Sequence, residues 1–242
     1  MSIRNRIKTT FLSLILILSL SFSATAFAQG EAVGKNFNSS FNGSSAGWSA
    51  VTGVWKVTGY GYYRSNGIKD RMTSAKRAGN YSNFTYSVRM KRVGAFANGV
   101  IIRGNPNSLS FVKSWKSSYW FAYTNNGTFS IWKYPSRGAE VALKDWTASS
   151  AIVKNGWNTL TVTANGSNFK FYINGKLVAK VADPSFRTGQ VGFGFYRDTP
   201  SGYLVVNWAK VSKIVKVKAD ANLFEEVAPG VELEGGNSMQ SP

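Results

Sequence analysis

The sequence predicts an all-β protein, a two-sheet antiparallel β-sandwich, and three observations carry that prediction. Apolar and polar residues alternate along Gly156 to Val181 and again along Gly189 to Asp198, which is the two-residue period of a strand with one buried and one wet face. Asn-Gly occurs seven times, and that pair readily supplies the two positive φ angles of a type I′ hairpin turn. No stretch before Asp220 carries the periodicity of an amphipathic helix. The alternating runs amount to about twelve to fourteen strands.

The meander from Gly156 to Val181 sets the pattern. A two-residue turn at Asn165-Gly166 places Val162 opposite Phe169, Leu160 opposite Phe171, and Thr161 opposite Lys170. A second turn at Asn174-Gly175 returns Val178 beside Phe171, so three successive strands share one buried face.

From the start of the chain, Arg4, Arg6 and Lys8 precede the apolar run Phe11 to Leu20 and a small-x-small site at Ala26-Phe27-Ala28. This is the pattern of a secretory signal over residues 1–28, and it predicts a secreted or periplasmic protein. The run is shorter than the ~20 residues a membrane helix needs, and no later stretch is long and apolar enough to span, so no transmembrane segment is expected after signal removal. The sandwich is assigned to residues 29–213. Its opening strands lie around Trp48, Trp55 and Tyr60 to Tyr63, followed by a weak strand at Arg71 to Arg77. In Tyr81 to Val93, Phe84, Tyr86, Val88 and Met90 point inward and Thr85, Ser87, Arg89 and Lys91 outward. Gly99 to Arg103 is a strand, Gly104 to Ser117 a polar loop holding Trp115, and Asp145 to Asn155 irregular. Tyr203 to Val211 closes the sandwich with Leu204, Val206 and Trp208 on one side. Residues 214–242 read as a partly disordered acidic tail.

Charge and missing residue types bound the chemistry. The chain carries 29 Lys and Arg against 11 Asp and Glu, a formal +18. Three of the basic residues lie in the leader and five of the acidic ones after Lys218, leaving 26 basic and 6 acidic residues between Gln29 and Lys218. That balance suggests a polyanionic partner or docking of the tail, against the alternative of a solvated surface whose charge does nothing specific. The Lys and Arg residues are spread along strands instead of forming a stripe, so nucleic acid is not predicted. Neither histidine nor cysteine occurs. Ser-His-Asp and Cys-His nucleophilic catalysis is thereby excluded, together with the common zinc sites, and stability must come from the core without disulfides.

Aromatic residues supply the positive signal. With a two-residue turn at Asn126-Gly127, Tyr119, Phe121, Tyr123, Trp132 and Tyr134 share one face opposite to Phe129 and Ile131. A three-residue turn that includes Asn125 replaces the first three by Trp120 and Thr124. Trp132 and Tyr134 are common to both registers. Sugars stack their C–H faces on such rings and need polar partners for their hydroxyls, for which Arg103 has the parity of Ile101. Gly192 and Gly194 share the face of Tyr196, leaving flat backbone over which a ring or ligand can lie. Trp115 is a candidate at the rim. The predicted ligand-binding set is therefore Arg103, Trp115, Tyr119, Tyr123, Trp132, Tyr134 and Tyr196, against the alternative that these aromatics are simply an inner face of the sandwich.

WNTLTVTANGSNFKFYINGKLVAKV followed by GQVGFGFYRD resembles the concanavalin A-like lectin and glucanase superfamily, in particular its laminin-G-like bacterial modules. FNGSSAGWSAVTGVW and YWFAYTNNGTFSIWK extend the likeness over roughly Asn36 to Val211. The resemblance implies a jelly-roll sandwich; for function it implies a choice, since lectins, hydrolases and adhesion modules share this fold. Glucanases of the superfamily carry Glu-x-Asp-x-x-Glu along one strand, which is absent here, and Glu140 and Asp145 are spaced to opposite faces of a strand. No catalytic residue is predicted, although Asp183 and Asp198 form a candidate pair from separate loops. The resemblance allows a structural Ca²⁺ that the neutral Asn42 and Asn207 do not favour, so no metal or cofactor is predicted. The expected function is a non-catalytic module binding a glycan, acidic by charge, with a glycoside hydrolase or lyase and a structural envelope protein as alternatives.

Overall fold

The computed structural model describes residues 32–94, 96–199 and 201–214. The leader expected over 1–28, and the acidic tail from residue 215 on, lie outside the described residues. Sixteen strands run through the described residues. They begin with β1 (Phe37–Ser39), β2 (Trp48–Thr52), β3 (Lys56–Val57), β4 (Tyr63–Ser65), β5 (Arg71–Tyr81) and β6 (Phe84–Val93). β7 (Ala97–Leu109), β8 (Trp115–Lys116), β9 (Ser118–Tyr123), β10 (Thr128–Tyr134) and β11 (Val141–Ala148) follow. The chain continues through β12 (Asn158–Asn165), β13 (Asn168–Ile173), β14 (Lys176–Ala182), β15 (Gly189–Arg197) and β16 (Tyr203–Lys213). They form two antiparallel sheets. The back sheet has the order β14-β13-β12-β6-β16-β4-β3 with β1 added to β16, and the front sheet the order β11-β10-β9-β7-β15-β5-β2 with β8 added to β7.

Alternation does what it implies. Phe84, Tyr86, Val88 and Met90 of β6 are buried between the sheets, with Leu160 and Val162 of β12 and Phe169 and Phe171 of β13 beside them. Val100, Ile102, Phe121, Phe129, Phe193 and Phe195 answer from the front sheet. Phe193 sits in a knot of rings: Trp48 at 4.5 Å, Trp55 at 5.3 Å and Phe41 at 6.1 Å, mostly edge-on or tilted. Burying one such ring is worth roughly 1.5–3 kcal/mol, which is how a chain without disulfides holds two sheets together.

Several registers differ from the sequence reading. The β12–β13 turn is Gly166-Ser167, because Asn165 pairs with Asn168 and the Gly166 amide donates to Asn83 Oδ1 at 2.8 Å. Val162 therefore faces Phe171 and Leu160 faces Ile173; the slip is two residues in sum, so every side chain keeps its face. Asn174-Gly175 does form the expected turn, with φ of 50° and 81°. Phe171 nevertheless meets Ala179 instead of Val178, since a bulge at Phe171/Tyr172 absorbs a residue. A second bulge, after Val206, leaves Leu204 and Val206 inside and turns Trp208 outward, opposite Arg89. Part of the expected polar loop at Gly104 to Ser117 belongs to β7 and β8, and β11 ends within the segment from Asp145 that reads as irregular. β11 is an edge strand with most of its residues exposed, so it lacks the buried half that makes a strand visible in sequence.

Candidate functional site

The β9–β10 hairpin decides which aromatics can meet a ligand. Its loop has three residues, Asn125 to Gly127, closed by the Thr124 amide donating to the Thr128 carbonyl at 2.9 Å, with Gly127 at φ 93°. Phe129 then opposes Tyr123, Ile131 opposes Phe121 and Trp132 opposes Trp120. Tyr119 and Tyr123 thus point into the sandwich, both about 1% exposed, and are corrected from candidate ligand contacts to core. Trp120, Ser130, Trp132 and Tyr134 occupy the outward face of the front sheet.

That outward face carries an apolar cluster of its own. Met72, Ala97, Ile101, Trp115, Trp120 and Ala122 are buried there, and Trp132, Tyr134, Trp146 and Tyr196 pack against them half-exposed. Trp132 is held along its strand by its own indole N–H, which donates to Ser130 Oγ at 2.8 Å. Trp120 and Tyr134 have ring centroids 6.4 Å apart, and Phe96, 47% exposed, meets the Trp146 ring edge-on at 5.8 Å. The Trp120 indole N–H is buried and has no hydrogen-bond acceptor in the protein, a costly state for a donor unless a ligand or water completes it.

Trp115 belongs to this face but is 1% exposed, so it is no rim residue. Its ring lies over Gly192, where an added Cβ would meet it at 2.5 Å, and over Gly104 at 2.6 Å. The flat glycine backbone is thus covered by the chain's own tryptophan, locked by its Nε1 donating to Ser74 Oγ at 2.8 Å. The loop between Leu109 and Trp115 crosses the sheet with it: the Met72 amide donates to the Val112 carbonyl at 2.8 Å. Ser114 hydrogen-bonds the Tyr134 hydroxyl, whose pKa is pushed up to about 12 by burial and, secondarily, by the nearby Glu140. The loop closes the Met72 side and leaves Trp132, Tyr134 and Trp146 accessible.

Arg103 is also corrected. A register shift at Gln190/Gly192 and a positive φ of 48° at Arg103 remove it from the parity of Ile101. It is 1% exposed, its Nη1 donates to the Phe186 carbonyl at 2.8 Å and its Nε to the Ser82 carbonyl at 3.2 Å, and it stacks over Phe169 at 4.8 Å. Burial lowers its guanidinium to about 10. Arg103 is a strut inside the sandwich.

Asp183 is equally committed. Tyr119 Oη donates to Oδ1 at 2.6 Å, the Ser185 amide to Oδ1 at 2.8 Å, and Lys133 Nζ to Oδ2 at 2.8 Å. Burial alone would raise its pKa, but the Lys133 ammonium and then the Tyr119 and Ser185 donors outweigh it and hold the carboxyl well below the usual carboxylate range. A carboxylate that is ionised at neutral pH and fully bonded has no proton to deliver. Asn207 accepts from Arg89 Nη1 at 2.9 Å. No group of three or more acidic side chains that could hold a metal ion occurs among the described residues, and no helix there is long and apolar enough to cross a membrane.

Of the seven expected ligand contacts, then, Trp132, Tyr134 and Tyr196 lie half-exposed on one face, Trp115 lies beneath it, and Arg103, Tyr119 and Tyr123 are interior. Trp146 and Phe96 were missed. Trp146 sits on the exposed edge strand and Phe96 in a loop, where alternation carries no signal.

The architecture is that of the concanavalin A-like jelly rolls. A carbohydrate-binding module, CBM66, from Bacillus subtilis is similar at 21% identity and a TM-score of 0.55, over 68% of this chain and 95% of that one. A β-glucanase from Bacillus licheniformis is similar at 14% identity and a TM-score of 0.57, over 75% and 99%. A native glycosidic hydrolase reaches a TM-score of 0.59 at 12% identity, over 76% and 98%. No curated protein matches the sequence. A family model does match, over residues 36–211, a span that takes in the strands from β1 to most of β16, and by that match the chain belongs to the 3-keto-alpha-glucoside-1,2-lyase-like domain family.

Proposed function

We infer that the chain is an exported glycan-binding module that seats sugar rings on the outward face of the front sheet. One observation carries this: Trp120, Trp132, Tyr134 and Trp146 gather on three adjacent strands, with the buried Trp120 N–H lacking an acceptor. Half-exposed rings offer stacking surfaces to sugar C–H faces, while an unpaired donor among them rewards a sugar hydroxyl. The carbohydrate-binding module and the glucanase of similar fold support a sugar-directed role. The test is titration of soluble oligosaccharides, followed by tryptophan fluorescence. Binding that falls about tenfold or more, or roughly 1.4 kcal/mol, in Trp132→Ala and Trp146→Ala supports the reading; unchanged binding in both variants, or no binding to any oligosaccharide tested, defeats it.

Catalysis is the second reading, favoured by Glu140 lying close enough to Tyr134 to raise its pKa. The name of the matching family describes a lyase acting on 3-keto-glucosides, and in such a sugar the proton on C2 is acidified by the adjacent ketone. A base that removes it and an acid that protonates the departing glycosidic oxygen complete the reaction. This reading assigns those two roles to Glu140 and Tyr134. Release of the aglycone from a 3-keto-glucoside that disappears in Glu140→Gln would establish this reading; equal release by the variant would end it.

A further inference from the structure

The back sheet presents a second outward face of different chemistry. Its strands contain no Asp or Glu: the described acids, Asp70, Glu140, Asp145, Asp183 and Asp198, all lie in the front sheet or in connections. Arg64, Arg89, Lys91, Lys170, Lys180 and Lys210 are out of phase with the buried residues of their strands and therefore share the outward side. Between them run Ser and Thr hydroxyls that satisfy one another, Ser87 with Thr161 at 2.8 Å and Thr85 with Thr163 at 3.3 Å. Half-buried rings are interleaved: Arg89 lies over Trp157 at 5.0 Å and Arg64 over Tyr203 at 4.0 Å.

Two cross-strand pairs on this sheet have like charge. Lys170 stands directly opposite Lys180, and Lys56 directly opposite Arg64. Such pairs destabilise a sheet, and no acidic side chain is hydrogen-bonded or ion-paired to any of the four among the described residues. Each pair also lines an open cleft, of about 370 Å³ at Lys170 and Lys180 and about 600 Å³ at Lys56 and Arg64. The pairs sit on β14–β13 and β4–β3, at opposite edges of the sheet, six strand spacings or roughly 29 Å from β14 to β3. That span exceeds the ~8 Å Debye length at physiological salt, so a small anion relieves one pair while a polymer can relieve both.

We propose that the outward face of the back sheet binds an anionic polysaccharide, with carboxylates at the two like-charge pairs and sugar rings along the Trp157 and Tyr203 strip between them. The proposal goes beyond the front-face reading and uses none of its residues. Flush, half-buried rings and paired hydroxyls suit a polymer lying across the sheet better than a lipid surface, which rewards protruding apolar side chains.

The test uses polygalacturonate as probe and dextran as its neutral counterpart, with the full chain. The expected result is retention on polygalacturonate at low salt, release near 1 M salt, where the Debye length is about 3 Å, and no retention on dextran through this face. A Lys170→Gln, Lys180→Gln, Lys210→Gln variant should bind polygalacturonate about tenfold or more weakly. All three side chains are exposed, and an unchanged melting temperature confirms folding; Lys56→Gln with Arg64→Gln provides an independent second variant. Unaltered binding in both variants overturns the proposal, as does the absence of polygalacturonate binding. Loss of polygalacturonate binding in Trp132→Ala, with the lysine variant unaffected, would move the polymer to the front face. Binding to phosphatidylglycerol vesicles without binding to polygalacturonate would make the partner a membrane and equally overturn it.

Discussion

The outward faces of the two sheets were built by the same alternation and have ended in opposite states. On the front sheet, Met72, Ile101, Trp115 and Trp120 form a second apolar layer, covered in part by the chain's own loop from Leu109 to Trp115. On the back sheet the corresponding positions hold chiefly Ser, Thr, Lys and Arg, and the hydroxyls pair across strands. The difference teaches that an aromatic stripe on a strand does not distinguish an inner face from a ligand-binding outer one. Both repay burial, and only what lies across the stripe separates them.

The largest effect is expected where the front face was filled by its own ring. Trp115→Ala removes a fully buried indole and the hydrogen bond to Ser74 and should cost about 3–5 kcal/mol in denaturant unfolding. If the cost is below about 1 kcal/mol, the second apolar layer contributes little and the front face is as loosely built as the back one. Asp183→Asn comes next, at about 2–4 kcal/mol, because it leaves Lys133 and Tyr119 without their charged acceptor. A depressed carboxylate pKa stabilises the fold above its unfolded value of about 3.9 and loses that contribution as pH falls through the lower folded value. The wild-type chain should therefore lose this part of its stability progressively below about pH 4, and the variant should show a shallower acid slope when melting is followed between pH 5 and pH 2.

Trp132→Ala should touch function more than folding, with a stability loss near 1 kcal/mol for a half-exposed ring beside the roughly tenfold loss of oligosaccharide affinity. A stability loss as large as that of Trp115→Ala would make Trp132 core, and the contrast between the faces would narrow. The smallest effect belongs to the back sheet. Lys180→Glu converts the like-charge pair with Lys170 into an opposite-charge one and should raise stability by a few tenths of a kcal/mol, read as a small increase in melting temperature that shrinks with added salt. A decrease would mean that the two lysines are not repelling one another.

Much of the fold was legible because burial and alternation coincide. Phe84 to Met90, Leu160 to Val162 and Phe169 to Phe171 each read correctly as inward from spacing alone. Of the outward aromatics, Trp132, Tyr134 and Tyr196 were legible, the first two because their parity against Phe129 and Ile131 within one strand survives any choice of turn. Tyr119 and Tyr123 depended on whether the loop before Thr128 had two or three residues, and one residue of loop length moves a whole strand to its other face. Arg103 was lost to a bulge and Trp146 to an exposed edge strand, and neither leaves a mark in the pattern of apolar residues.

By itself the sequence determined the class of fold, the absence of His- and Cys-based chemistry and the in-or-out order within strands free of bulges, such as β6 and β12, because these follow from residue type and from the two-residue period of a strand. The tertiary structure alone decided which aromatic face lies outside, which ring covers Gly192, and that the strands gathered into the back sheet carry cations and no acids. Those outcomes depend on register, bulges and the order of strands across a sheet, which arise from contacts between residues far apart in sequence.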